Sequence, residues 1–493
     1  MQRVLKGAAL IVLVMMCLGC GTAAAFELSV VWNTTYGDEE TNESAYSIIQ
    51  AENASLIFAG DTDAKGAGLI DAWLGVVEAD EGALLSDVAY GTLLNDTAYD
   101  VIQSDDGIIV FAGSTALPLE GDLYHTDAWI VGINATGYEV LNRTFGGPEV
   151  NATAYSIIQT GDGGYLFAGS IEGYASGNID AWLVKINATG EEEWTGRFGG
   201  EQNESAYSVI EDEEGNFLFA GYTESFEAEE ADGWVVKTNS TGMELWNATF
   251  GGAGNDTGWD IFQENAQNFS FVGTTTFFTG ENRTDTDAWY LRFNATGAPL
   301  LEATYGGPDV NATARSAADT PDGGRLVAGT IEDYGSGNVD AWLIKLDSSA
   351  EEEWNGALGG SNQDLARSIV RISETSYVFA GEFNRTLEAQ PPYPDAWAVR
   401  LDEVIEPAPA PEPTPAPKPI PKGNIGDFVW EDRNGNGIQD EGEPGIKGVE
   451  VILYDGEGTE LRSRTTDSEG RYCFCSLKAG TYSLRFIRPE GYV

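Results

Sequence analysis

The chain is predicted to be all-β: a seven-bladed β-propeller closed by its N-terminal strand, then a proline-rich linker, then a small β-sandwich. Three observations carry this reading. The phrase Asp-Ala/Gly-Trp begins at Asp71, Asp127, Asp180, Asp232, Asp287, Asp340 and Asp395, at spacings of 52–56 residues. A second phrase, an aromatic or Val followed by Ala/Val-Gly, ends at Gly60, Gly113, Gly169, Gly221, Gly273, Gly329 and Gly381. No window of useful length has helical periodicity; each phrase is a short β-branched or aromatic run bounded by turn residues. Four short strands per repeat, joined by tight turns, make a propeller blade.

Residues 1–25 read as a targeting segment. Arg3 and Lys6 precede the apolar run "GAALIVLVMMCLG", and "AAA" at 23–25 offers a cleavage site after Ala25. A second reading stays open: "LGC" resembles the end of a bacterial lipobox, which would place a lipid anchor on Cys20. The apolar run is short for a membrane span, so either reading puts the mature chain outside the membrane, secreted or at the cell surface. A prokaryotic, archaeal source is the expectation.

The propeller is expected over 28–402. Within a repeat, "SAYSIIQ" is the inner strand a, "YLFAGS" b, "DAWLVKI" c and "EEEWTGRFGG" the outer strand d. The last repeat stops after "DAWAVRLD" without a strand d, and "LSVVWNTTYG" at 28–37 matches the missing piece. Residues 28–36 should therefore close the ring and remove an open edge. Each repeated Asp is expected to hydrogen-bond its own b–c turn, with the following Trp packed between blades.

Seventeen Asn-x-Ser/Thr sequons follow the same rhythm. Asn42, Asn95, Asn151, Asn203, Asn255 and Asn311 fall in the d–a connections, Asn134, Asn187, Asn239 and Asn294 in the c–d hairpins, and Asn33, Asn142 and Asn247 on strand d. Turns select Asn, but on this reading they do not need Ser or Thr two places later. In an exported chain these Asn are therefore candidates for glycosylation, on both faces of the disc.

Composition excludes some classes. With 79 Asp+Glu against 26 Lys+Arg, the formal net charge is -53, which disfavours nucleic acid and anionic membranes as partners. No disulfide framework is available: Cys473 and Cys475 are the only cysteines after the leader, and they read as strand residues facing the same way. The lone His125 reads as a solvated loop residue. No nucleophile motif, phosphate loop or HExxH occurs.

Residues 403–422 contain "EPAPAPEPTPAPKPIPK", a polyproline II spacer of roughly 45 Å at ~3.1 Å per residue. Residues 423–493 change character. "DRNGNGIQDEGE" places Asp432, Asn434, Asn436, Ile438, Asp440 and Glu443 at positions 1, 3, 5, 7, 9 and 12 of a calcium loop, with Gly437 at the turn. Ca²⁺ is the expected cofactor, in a structural role.

Two resemblances belong with these residues. "SIIQTGDGGYLFAGS…DAWLVKINATGEEEWTGRFGG" resembles β-propeller repeats of secreted bacterial and archaeal surface proteins and, in rhythm, WD repeats. "IGDFVWEDRNGNGIQDEGEPGIKGVEVILYD" is similar to the B-type repeat of serine-aspartate surface adhesins; that family continues past "PEGY" into a final strand, which leaves closure of the sandwich open. Together they imply a non-catalytic surface protein for envelope structure, adhesion or binding of an extracellular protein or carbohydrate. The alternative is an extracellular propeller enzyme acting on carbohydrate, or a quinoprotein, whose Trp-docking motif "NATGEEEW" resembles.

Overall fold

The computed structural model describes residues 28–487 and 489, apart from 39, 122, 174–176, 227, 229, 281–282, 309, 333–338, 386–392 and 404–422. The expected leader, its cleavage or lipidation site and most of the proline-rich linker lie outside the described residues. The chain divides into two compact units between Ile405 and Glu406. Every regular element among the described residues is a strand.

The first unit holds seven four-stranded antiparallel sheets. Six are sequential meanders; the seventh takes its outer strand, Leu28–Tyr36, from the other end of the chain. That strand pairs with Tyr393–Glu403 from Leu28↔Glu403 to Tyr36↔Ala396. The inner strands contact one another in succession around the ring, and the last, Asp364–Arg371, returns to the first, Glu43–Gln50. This is the closed propeller expected from the sequence.

The repeated Trp explains the repeated phrases. In six blades its ring packs edge-on against the Phe of strand b, as in Phe58–Trp73 at 4.8 Å and Phe379–Trp397 at 4.9 Å. Each Trp also packs against the preceding blade: Trp129 shares a core with Ile57, Ala59 and Leu74. A buried indole N–H needs an acceptor, and strand d supplies it in every blade: Asp87, Asn142, Thr195, Asn247, Glu302, Asn355 and, for Trp397, Asn33 at 2.7 Å. The N-terminal strand thus fills the same chemical position as its six counterparts.

In the second unit, the strand Gly423–Phe428 pairs with Arg471–Leu477, and Glu450–Asp455 lies between Glu460–Thr465 and Tyr482–Ile487. The two sheets enclose a small core of Val449, Val451, Leu453, Phe474 and Leu477. Cys473 and Cys475 are exposed and unbridged on one face of their strand.

Two expectations need correction. Asp127 and Asp287 do not bond their own b–c turns; each accepts the N–H of the glycine pair that ends strand d, Gly147 at 2.7 Å and Gly307 at 3.3 Å. Asp71 shows the expected bond, from Gly68. Asp180 faces Arg197 and Asp395 pairs with Arg385, while Asp232 and Asp340 stand at the first and second positions of their strands c. The b–c loops vary in length and cannot offer a donor at a constant place, whereas the "FGG" turn recurs. His125 is not a solvated loop residue either: it lies on the strand Tyr124–Ile133, 6% exposed, with Nε2 3.4 Å from Asp127.

Candidate functional site

The central axis is organised by a defect repeated seven times. In every blade the pairing of strands a and b slips by one residue, and the bulged residue is Tyr46, Tyr99, Tyr155, Tyr207, Trp259, Arg315 or Arg367. A β-bulge re-aims a side chain. It also explains the glycine ending the second phrase: a Cβ on Gly60 would meet the carbonyl oxygen of Ser44 at 1.8 Å, and the other six glycines are similarly pressed.

The bulged side chains form a ring. Tyr46–Tyr99, Tyr99–Tyr155 and Tyr155–Tyr207 lie 5.1–5.3 Å apart, and Tyr207–Trp259 4.4 Å. The Arg315 guanidinium stacks 3.9 Å from Trp259, and Arg367 sits 5.0 Å from Tyr46. All seven are half-buried, lining an open mouth. Burial pushes the Tyr99 hydroxyl up to about 12 and draws Arg315 down to about 10, with Arg367 adding repulsion.

Beside this ring runs a second, of Ser47, Asp100, Ser156, Ser208, Asp260, Ser316 and Ser368. These side chains knit neighbouring blades. Asp100 accepts from Ser47 Oγ at 2.8 Å and Ile157 N at 2.9 Å; Asp260 accepts from Ala317 N at 3.1 Å. Burial raises both carboxyls, Asp260 to about 6.

A cavity of about 260 Å³ opens where blades six and seven meet this mouth, with Arg315 and Arg367 on its wall beside Thr313, Thr330 and Gln363. The two arginines were not singled out from the sequence. The available signal was the column "AYS, AYD, AYS, AYS, GWD, ARS, ARS", aromatic in five repeats and cationic in two.

The repeated Asp residues do not gather at the axis. They meet the first residue of the next blade at the blade junctions. A Cβ on Gly91 would lie 2.2 Å from Asp71 Oδ1 and 2.6 Å from Asp96 Oδ2, so the two carboxylates crowd one point. Gly359 touches Asp340 and Asp364 in the same way, and Gly37 touches Glu43 and Asp395. Desolvation raises Glu43 to about 7 and Asp364 and Asp395 to about 6.

The sequons fall into two structural kinds. In the c–d hairpins, Asn187 Oδ1 accepts from Thr189 N at 2.9 Å, Thr189 Oγ1 at 2.7 Å and Glu191 N at 3.0 Å. Asn134, Asn239 and Asn294 repeat the pattern. The turn therefore does use the Thr two places on, contrary to the expectation that only a modification would need it. In the d–a connections the Asn clips blades together: Asn203 accepts from Ile179 N and donates Nδ2 to Glu224 at 2.8 Å. Asn151, Asn311 and Asn42 likewise donate to Glu172, Glu332 and Asp63, and Asn255 accepts from Ala231 N. Asn95 is exposed.

In the second unit the loop 432–443 is exposed and wound by its own hydrogen bonds. Asp432 accepts from the backbone of Gly437, Gly435 and Asn436, which holds its carboxyl below the usual range. Asn434 and Asn436 both donate to Asp440 Oδ2, at 2.6 and 2.7 Å. The two oxygens of Glu443 accept from Arg433 N and Asp440 N. Gly437 has φ 76°, a left-handed turn that glycine takes without strain. Among the described residues no three His, Cys, Asp or Glu side chains are gathered closely enough to hold a metal. The donors here are a mixed set instead, with two amides and the Ile438 carbonyl among the carboxylates.

Residues 423–493 match the family model of the SdrD B-like domain. They are similar to serine-aspartate repeat-containing protein D of Staphylococcus aureus (strain Newman), 54% identical over 72 residues, 15% of this chain and 6% of that protein. Serine-aspartate repeat-containing protein C of the same strain is 56% identical over 71 residues, 14% of this chain and 8% of that protein. The relatives are bacterial, so they lend no support to the expected archaeal source. Among solved structures, the Neurospora crassa Pan2 WD40 domain matches 78% of this chain and 98% of that one, at 10% identity and TM-score 0.48. The β-propeller domain of the Trilobed protease from Pyrococcus furiosus matches 72% of this chain and 93% of that one, at 8% identity and TM-score 0.38. No helix among the described residues is long and apolar enough to cross a membrane.

Proposed function

We propose that this is a non-catalytic, surface-displayed binding protein: a propeller carried on a stiff spacer beside a calcium-stabilised module of the adhesin type. The observation that carries the reading is the module at 423–493, with its match to serine-aspartate repeat-containing proteins.

The module's residues fit Ca²⁺. Asp432, Asn434, Asn436, Asp440 and Glu443 supply hard oxygen donors and Ile438 a carbonyl, the set a Ca²⁺ loop requires. Two neutral amides lower its charge, so affinity belongs in the extracellular range, about 10⁻⁵–10⁻³ M. When bound, the ion would neutralise carboxylates and tie the loop ends together. With a core of so few buried residues, the module gains from a ligand that binds only its folded form.

Glycans are proposed on the c–d hairpins, at Asn134, Asn187, Asn239 and Asn294. There the acceptor Oδ1 serves the turn, and a sugar on Nδ2 leaves it in place. The clipped d–a asparagines are poorer acceptors, because they bridge separate strands, as Asn203 does between Ile179 N and Glu224, whereas Asn187 Nδ2 donates only within its own hairpin, to Glu191 at 3.0 Å. Protease treatment of intact host cells tests the display: release of a propeller-sized fragment is expected, and protection until lysis would overturn it. Glycopeptide mass spectrometry on native protein tests the second point; occupancy of Asn203 and Asn151 with the hairpins bare would reverse it.

A further inference from the structure

The chain carries a great excess of acid, so a cation without a carboxylate needs explaining. Among the propeller's described cations, Arg143 and Arg315 have no carboxylate partner. Arg143 is exposed and donates to the carbonyls of Asn142 and Thr189. Arg315 is half-buried, and its one contact of this kind is the Trp259 face, 3.9 Å away. Stacking uses the face of a guanidinium and leaves the N–H donors at its edge. Close by stands Arg367, whose like charge repels that of Arg315 and whose own partner is Glu382 at 2.8 Å. Two like charges share one cavity wall, and Glu382 pairs with Arg367 alone.

The surroundings suit an anion that also has a body. Thr313 and Thr330 put hydroxyls on the wall, paired with each other at 2.8 Å. Glu332, also on the wall, is taken up by Asn311. Tyr46, Tyr207 and Trp259 continue the rim as half-buried aromatic surface. Planar donors recognise a carboxylate with two parallel hydrogen bonds, and aromatic surface covers the apolar face of a sugar ring.

We propose that the axial mouth binds a carboxylate between Arg315 and Arg367, in the form a hexuronic acid residue of an acidic polysaccharide carries. This names a ligand class for the surface-binding reading but does not depend on the module or on display. The long-range field of a chain with net charge -53 opposes any anion. Recognition is therefore local, and it selects for a ligand whose ring adds contact to its charge.

Calorimetric titration and saturation-transfer NMR on the full chain test this with sodium glucuronate, sodium acetate and glucose, up to about 10 mM, the range of ligands with few contacts. Glucuronate should bind, acetate more weakly, and glucose weakest. Arg315→Gln should weaken glucuronate about tenfold or more, the size of one charge-assisted hydrogen bond; Arg315→Lys, which keeps the charge, should lose less. Near-ultraviolet circular dichroism confirms that each variant is folded, and Trp259→Leu supplies a second variant that should lose the preference of glucuronate over acetate. Acetate binding as well as glucuronate would overturn the sugar part. Absence of carboxylate binding, or equal binding by Arg315→Gln, would overturn the site, while cell-surface display would stand or fall on its own test.

Discussion

Asn187 and Thr189 illustrate how much a single turn can hide. The Thr hydroxyl and amide both donate to one Asn oxygen, so a pattern that marks modification also closes a hairpin. On unglycosylated protein, Thr189→Ala should cost about 0.5–1.5 kcal/mol, one net hydrogen bond, read by denaturant titration; no loss would restore modification as the sole reason for the Thr. In the loop 432–443 the residue-level expectation concerns charge. Glu443→Gln and Asp432→Ala should each weaken Ca²⁺ binding by removing one carboxylate ligand. Competition with a fluorescent chelator measures it, and unchanged affinity in both would place the ion elsewhere.

At the scale of the element, the strand Leu28–Tyr36 matters most. It supplies Asn33 to the Trp397 indole, and its own Trp32 indole donates to Ala79 O of the first blade at 2.9 Å. It therefore joins both sides of the seam. Asn33→Ala should destabilise the propeller by about 1–3 kcal/mol, the cost of a buried donor left unpaired. Deleting residues 28–37 should cost more and should expose the edge of Tyr393–Glu403, a template for association. Light scattering on the deleted chain checks this; a monodisperse monomer of unchanged melting temperature would contradict it.

Over the whole molecule, stability should rise as pH falls from about 7 toward about 4. Glu43 is raised to about 7, and Asp61, Asp260, Asp364 and Asp395 to about 6, each chiefly by burial. A group raised on folding binds its proton more tightly in the native state, so the native form gains as pH drops through that folded value. The gain is complete near the unfolded values of 3.8–4.5. Asp162, lowered to about 2 by Thr160 and Lys185, works the other way, but only below about 3.8. Relief of net negative charge adds to the acid-side gain. The propeller's melting temperature should be higher at pH 5 than at pH 8, and Asp260→Asn should flatten part of that slope. In the same calorimetric scans of the full chain, chelator should lower the module's transition alone; saturating Ca²⁺ at 100-fold over Kd should add about 2.7 kcal/mol to it. A shift in the propeller's transition instead would contradict the assignment.

Strand order, blade number and the closing strand were legible because they rest on local patterns that repeat. Seven copies of Asp-Ala/Gly-Trp at near-constant spacing reveal the blade, and the missing strand d reveals the seam. The proposed calcium loop could be named from the sequence because its candidate donors are neighbours along the chain. The axial ring was not, since Arg367 and Tyr46 meet only when the seventh blade returns to the first. A one-residue bulge turns each of these side chains inward, and bulges depend on the register between two strands. The Asp partners were misjudged on similar grounds, because a loop of variable length and a constant glycine turn reach the strand end together only in the folded blade. Residue type and spacing sufficed wherever chemistry runs along the chain; register and ring closure decided the groups that converge from different blades.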